Sequence, residues 1–305
     1  MTGYVIRRVL WLLPLLWAVA TVTFFLMHAV PGGPFDREKE VPPATLRNLE
    51  SKYNLDKPLI AQYGLYLKGL LHGDLGVSFR NNRDVAPIIR DGFLVSAQLG
   101  IVAFLFAVVV GMSLGILSAL HQNRFLDYVG VFFATAGAAM PNFIIGTFLV
   151  IILSVQLGWT DVLGWELGNP RKMVIPVLAL GMLPAAYIAR VTRASMLDVL
   201  RQDYIRTSRA KGLPQRVVVL RHTIRNALVP VLTVLGPIFA ILITGSFVVE
   251  RLFAINGIGR QFVEAVFVRD YGVIMGTTIF YAAIIAIANL VVDVLYAAAD
   301  PRIRY

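Results

Sequence analysis

Six stretches of this sequence, 9–30, 93–120, 128–155, 173–189, 226–249 and 272–292, carry no charged side chain, and each is between 17 and 28 residues long. A helix rises about 1.5 Å per residue, so about 20 apolar residues cross the roughly 30 Å of hydrocarbon in a bilayer. With 57% hydrophobic and only 15% charged residues, the chain has lipid as its solvent. The expected fold is an all-α membrane protein with six transmembrane helices. Arg7 and Arg8 precede the first stretch in the manner of a signal peptide, but its apolar run is too long and no small-residue cleavage site follows before Pro31. It is read as a retained span.

Charge gives the expected orientation. With the amino terminus inside, the inner segments hold Arg7, Arg8, Arg124, nine basic residues from Arg190 to Arg225, Arg302 and Arg304, whereas the short outer loops hold five. That asymmetry places both termini in the cytoplasm. The net charge of +10 is concentrated beside spans, which fits an inner face near anionic lipid and argues against a nucleic-acid partner.

Between the first two spans, residues 31–92 are too many for a simple connection. Pro31-Gly32-Gly33-Pro34, Pro42-Pro43 and Asp56-Lys57-Pro58 are turn signals. Leu46, Leu49 and Tyr53, then Leu59, Tyr63, Tyr66 and Leu70, recur at helical spacing. Two short amphipathic helices packed on the spans are expected, forming a small external helical domain. The chain divides into 1–92, the first span with this segment, and 93–305, a core of five spans.

Gly111 with Gly115 and Gly272 with Gly276 repeat at four-residue spacing, which lets helix backbones approach closely. Both are read as packing within the chain. Prolines 141, 176, 184, 230 and 237 predict kinked or broken spans.

No phosphate-binding glycine loop, zinc-protease motif or Cys/His cluster occurs; cysteine is absent and the four histidines are scattered. Gly257-Ile258-Gly259 lacks the third glycine of a dinucleotide fingerprint and is read as a turn. No catalytic residue, metal site or cofactor is expected. Asp293, beside Asn289 in the last span, is the one acid near mid-membrane and is read as a packing residue, which disfavours an ion-coupled carrier or channel.

Residues 198–225 are the polar exception between two spans. Burying the nine basic residues of 190–225 would cost more than about 20 kcal/mol, so the segment lies in water. Leu197, Leu200, Tyr204 and Ile205 form an apolar helical stripe, Arg201, Arg206, Arg209 and Lys211 crowd the same stretch, and Gly212 with Pro214 stops the helix. A second helix is expected from about Gln215 into the fifth span. A short rigid element of this kind can carry force from a soluble partner into the bilayer.

This segment carries a resemblance. Asp203-Tyr-Ile-Arg-Thr-Ser-Arg-Ala-Lys-Gly-Leu213, then Arg221-His-x-x-Arg-Asn-Ala227 and Pro230, resembles the ATPase-coupling loop of ABC importer permeases in the peptide/nickel branch. Arg206-Thr207-Ser208 stand where the general pattern has Glu-Ala-Ala, and the closing proline falls late, at Pro230; both are usual for that branch. Pro31-Gly-Gly-Pro34, Tyr53-x-Leu-Asp-Lys-Pro58, His72-Gly-Asp-Leu-Gly-x-Ser78 and the tail Asp300-Pro-Arg-Ile-Arg-Tyr305 are similar to B-type permeases of oligopeptide importers.

The resemblance implies one half of a peptide pathway in a bacterial or archaeal cytoplasmic membrane. Its partners would be a second homologous permease, two ABC ATPases that bind ATP and Mg, and an extracytoplasmic peptide-binding protein. Dipeptides, glutathione or nickel are alternative cargoes. Tyr204, Arg206, Thr207, Ser208, Arg209, Gly212 and Leu213 would form the ATPase-coupling surface, supported by His222, Arg225, Asn226 and Pro230.

Overall fold

The computed structural model describes residues 2–35 and 42–299. The tail Asp300–Tyr305, with Arg302 and Arg304, lies outside the described residues, as does the side chain of Asp293. The described residues are helical apart from turns, loops and one isolated antiparallel bridge, Val77 to Asp84.

The chain runs through α1 (Thr2–Ala29), α2 (Pro43–Lys52), α3 (Leu59–Leu71) and α4 (Val85–Leu120), then α5 (Phe125–Ala139) and α6 (Asn142–Leu149), which continues as a π-helical turn, Val150–Gln156. There follow α7 (Pro170–Leu200), α8 (Asp203–Ala210), α9 (Gln215–Val217), a second π-helical turn (Val218–Thr223), α10 (Ile224–Ile243), α11 (Phe247–Leu252), α12 (Ile258–Val268) and α13 (Tyr271–Ala299).

Among the described residues, five helical stretches are long and apolar enough to cross a membrane: Ile6–Ala29, Val85–Leu120, Pro170–Leu200, Gln215–Leu252 and Tyr271–Val291. The sixth expected span is not straight. Phe125–Ala139 and Asn142–Gln156 meet at 110°. Met140 before Pro141 is extended, at φ −99° and ψ 131°, because the proline ring disfavours the helical region for its predecessor. The fifth apolar run, expected to continue to 249, leaves its helix at Ile243, where Gly245 takes φ +85°.

Two compact units emerge, Met1–Ser96 with Asn256–Tyr305, and Ala97–Ile255. The long helix α4 passes through the division expected at 92/93 without a break.

In the first unit, α1 packs on α13, and Phe24, Tyr271 and Met275 bury against Tyr63, Tyr66 and Phe79. Thr21 Oγ1 and Tyr63 Oη lie 2.7 Å apart, which ties α3 to α1. Val85, Ile88 and Ile89 at the start of α4 form a second cluster with Ile258, Ala265, Val273 and Ile274. The segment after the first span thus packs on helices of its own unit.

In the second unit, α7 is the central rod, burying Ile175, Leu180, Ile188 and Met196. Small residues set its approach to α4. A Cβ on Gly111 would stand 2.6 Å from the Ala185 carbonyl oxygen, and one on Gly115 would stand 2.6 Å from that of Ala189. This glycine pair therefore packs within the chain. A Cβ on Gly272 in the first unit would run into the Val77 carbonyl, so the other pair does the same.

Candidate functional site

The polar segment after α7 is short and ordered. Helix α7 ends at Leu200, Gln202 turns extended at φ −68° and ψ 148°, and α8 starts at Asp203, whose carboxylate suits the positive end of the helix dipole. The apolar stripe expected through Leu197, Leu200, Tyr204 and Ile205 is therefore split between two helices. Extended backbone at Gln202 interrupts the 3.6-residue period between them.

A Schellman turn ends α8. Gly212 N donates to Arg209 O at 3.0 Å and Leu213 N to Ser208 O at 3.4 Å, with Gly212 at φ +75°. Glycine takes that backbone geometry without strain, and asparagine is the side chain that tolerates it best. The helix stops at Ala210, so Gly212 and Leu213 belong to the turn that follows it.

One side chain anchors α8. Ile205 is fully buried, and the helix lies against the π-helical turn, where Val218 and Thr223 are also fully buried. Asn226 Nδ2 donates to the Tyr204 hydroxyl at 2.8 Å, joining α8 to the start of α10. The same Nδ2 donates to His222 O at 3.1 Å. Thr207 and Ser208 turn their hydroxyls back to the carbonyls of Asp203 and Tyr204, at 3.0 and 2.8 Å.

What remains faces outward. Arg201, Arg206, Arg209, Lys211, Arg216, Arg221 and Arg225 are all exposed, as are Tyr204 and Leu213. Arg206 meets Asp203 at only 3.6 Å. Such an exposed pair adds little to stability. The surface is basic with two apolar side chains among the charges, on a helix whose position is set from below.

A buried polar knot lies on the same unit. Arg193 of α7 donates from Nε to Asp127 Oδ1 at 2.7 Å and from Nη2 to Oδ2 at 2.8 Å. The Ser118 hydroxyl of α4 also donates to Asp127, and Asn123 N donates to Oδ2 at 2.9 Å. The first unit has its own knot. Ser78 Oγ donates to Asp270 Oδ2 at 2.5 Å, and Phe79 N and Val273 N donate to Oδ1 at 3.1 and 3.4 Å.

Two family models match the sequence. One, the binding-protein-dependent transport system inner membrane component, covers residues 111–305, and its amino-terminal companion covers 1–100. The chain belongs to that family. It is a multi-pass inner membrane permease of a binding-protein-dependent transport system.

Curated relatives match this permease over its whole length. It is 43% identical over 306 residues to the oligopeptide transport system permease protein OppB of Salmonella typhimurium, covering 100% of both chains. It is 45% identical over 305 residues to the dipeptide transport system permease protein DppB of Bacillus subtilis, covering 100% of this chain and 98% of that one. Among solved structures, the MetNI methionine ABC transporter in inward-facing conformations matches at TM-score 0.58 with 17% identity, over 70% of this chain and 96% of that one. An amino acid ABC transporter matches at TM-score 0.54 with 19% identity, over 72% and 95%. Those two likenesses concern the fold.

All the residues expected in the coupling surface fall on one stretch of this permease. Tyr204, Arg206, Thr207, Ser208 and Arg209 are on α8, Gly212 and Leu213 in its turn, His222 in the π-helical turn, and Arg225, Asn226 and Pro230 on α10. Asn226 reaches α8 directly; Arg225 and Pro230 are exposed.

Both knots escaped sequence reasoning, because their partners lie 66 and 192 residues apart. Helices α11 and α12 were also missed, the second because Gly257-Ile258-Gly259 was read as a turn; Gly257 lies just before α12, and Ile258 and Gly259 are its first residues. Among the described residues no group of three or more His, Asp or Glu could hold a metal ion.

Proposed function

We propose that this chain is the permease subunit of an ATP-driven importer for oligopeptides. It forms half of the translocation pathway and takes up the motion of partner ATPases through α8. The observation that carries this reading is α8 itself, a polar helix fixed by one buried isoleucine and one hydrogen bond between two long apolar helices, with its basic face free.

The reading assigns a second homologous permease as the other half and a peptide-binding protein as the source of cargo. Two ABC ATPases bind ATP and Mg and hydrolyse ATP, so this chain supplies no catalytic group. Full-length similarity to oligopeptide and dipeptide permeases supports peptide as the cargo class. Both termini and α8 face the cytoplasm, as the basic residues of 190–225 favour. The segment 31–92 then faces outward, toward the delivery protein.

In the coupling step, Tyr204, Arg206, Arg209 and Leu213 seat α8 in a groove of one ATPase. Closure of the ATPase pair moves α8 and the two helices it joins, and hydrolysis resets them, a two-state change biased by nucleotide.

The test uses Gly212. No atom of the chain stands within 4 Å of a Cβ there, so within the chain a substitution acts through the backbone. Gly212→Val resists a positive φ and should move Leu213, whereas Gly212→Asn tolerates it. In the reconstituted complex, Gly212→Val should abolish peptide-dependent ATP hydrolysis while Gly212→Asn retains most of it. Normal transport by the valine variant would sink the docking role.

A further inference from the structure

Two arms leave α8, and they are built differently. The arm toward α10 passes through the π-helical turn Val218–Thr223, where one residue beyond the α-helical count loosens the register. The arm toward α7 is pinned. Arg193 lies seven residues before the end of α7 at Leu200, roughly 10 Å along the axis.

At that height the Asp127 carboxylate is buried and each oxygen is used twice. Oδ1 accepts from Arg193 Nε and from the Ser118 hydroxyl, and Oδ2 accepts from Arg193 Nη2 and from Asn123 N. A fork-to-carboxylate pair fixes direction as well as distance. Three elements are thus held in one geometry: the end of α4, the start of α5 and the last third of α7.

Closer to α8 the packing is apolar and undirected. Ala119, Met196 and Ala227 cluster with Ile116, Leu120 and Leu197, and one hydrogen bond, Ser195 Oγ to Ala227 O at 2.8 Å, crosses to α10. Contacts of that kind allow small sliding. A buried ion pair is a weaker source of stability than apolar side chains of equal volume, and its best-supported use is to enforce one arrangement.

We propose that Ser118, Asp127 and Arg193 are positioning residues for coupling. Their clasp makes α4, α5 and α7 a single lever, so a push on α8 swings the three helices together instead of bending α7 alone, while the π-helical arm absorbs the mismatch. The proposal rests on the reading of α8 as the docking element.

The test measures peptide imported and ATP hydrolysed in the same proteoliposomes, with the complete complex and its binding protein. Asp127→Asn, Arg193→Lys and the apolar pair Asp127→Leu with Arg193→Met should each lower the peptide-to-ATP ratio about fivefold to tenfold at equal amounts of assembled complex. A clasp that serves stability alone predicts instead that the apolar pair assembles and keeps the ratio, which overturns the lever. If no variant assembles, the clasp is a folding element and the proposal falls. If the clasp variants keep the ratio while Gly212→Val loses activity, the lever is wrong and the docking helix stands. If both keep it, the docking reading fails and takes the lever with it.

Discussion

Residues 31–92 and 190–225 each contain nine Lys and Arg, and the Ser78–Asp270 knot at the end of the first and helix α8 in the second use polar side chains in opposite ways. At the end of the first stretch Ser78 turns inward to Asp270, while the described Lys and Arg of that stretch are exposed. Ser78 and Asp270 are buried and satisfy each other, and the carboxylate also takes two backbone N–H groups where α13 begins. On α8, in the second, Ile205 is the one buried residue and the charged side chains are exposed, whereas Arg193, earlier in that stretch, joins the Asp127 knot. Buried, satisfied polar groups specify architecture, because leaving one unpaired costs more than making the bond gains. Ordered but exposed charges contribute little to the fold. Under the proposed reading, their order serves a partner. The contrast separates a structural knot from the surface proposed for docking, and substitutions can break it.

The largest effect is expected at Asp270. Asp270→Ala strands the Ser78 hydroxyl and the Phe79 and Val273 N–H groups, at a cost of about 3–4 kcal/mol. Purified chain should lose thermal resistance in detergent by a wide margin, with new protease cuts in 72–84. An unchanged melting profile would show that the knot is not structural.

Ile205→Ala comes next. It removes the anchor of α8 and costs about 2–4 kcal/mol, but only locally, because no other residue of the helix is buried. Limited trypsin digestion should cut at Arg206 and Arg209 in a chain whose spans and melting profile are intact. Coupling should fall with it. Global unfolding instead would mean that α8 belongs to the core, and the contrast would disappear.

How much of this was legible depends on range. Apolar runs report the spans because lipid exposure demands uniform hydrophobicity, and the Pro141 break was visible as a proline within such a run. Its 110° angle was not, since backbone preference says where a helix stops and packing says where the chain goes next. Gly212 and Pro214 marked the end of α8 because turn chemistry is local. The break at Arg201 and Gln202 carried no proline or glycine, so the helical stripe seemed to run on through it. Asp127, Arg193, Ser78 and Asp270 looked like ordinary charged or polar residues, and only the folded chain reveals that each has a partner.

The smallest effect sharpens the comparison most. Tyr204 is 42% exposed, and its hydroxyl accepts from Asn226 across to α10. Tyr204→Phe deletes that bond and leaves the ring in place. A hydrogen bond near water contributes about 0.5–1 kcal/mol, too little to change the melting profile or the amount of chain in the membrane. If α8 were merely a solvated connector, nothing else should follow. If it transmits force, loosening its tie to α10 should lower peptide-stimulated ATP turnover about twofold to fivefold at saturating binding protein. Asn226→Ala, which removes the other half of the same bond, should give the same loss, and the double variant no more than either alone. Additive losses would place the two residues on separate paths and leave the bond between them without a role in coupling.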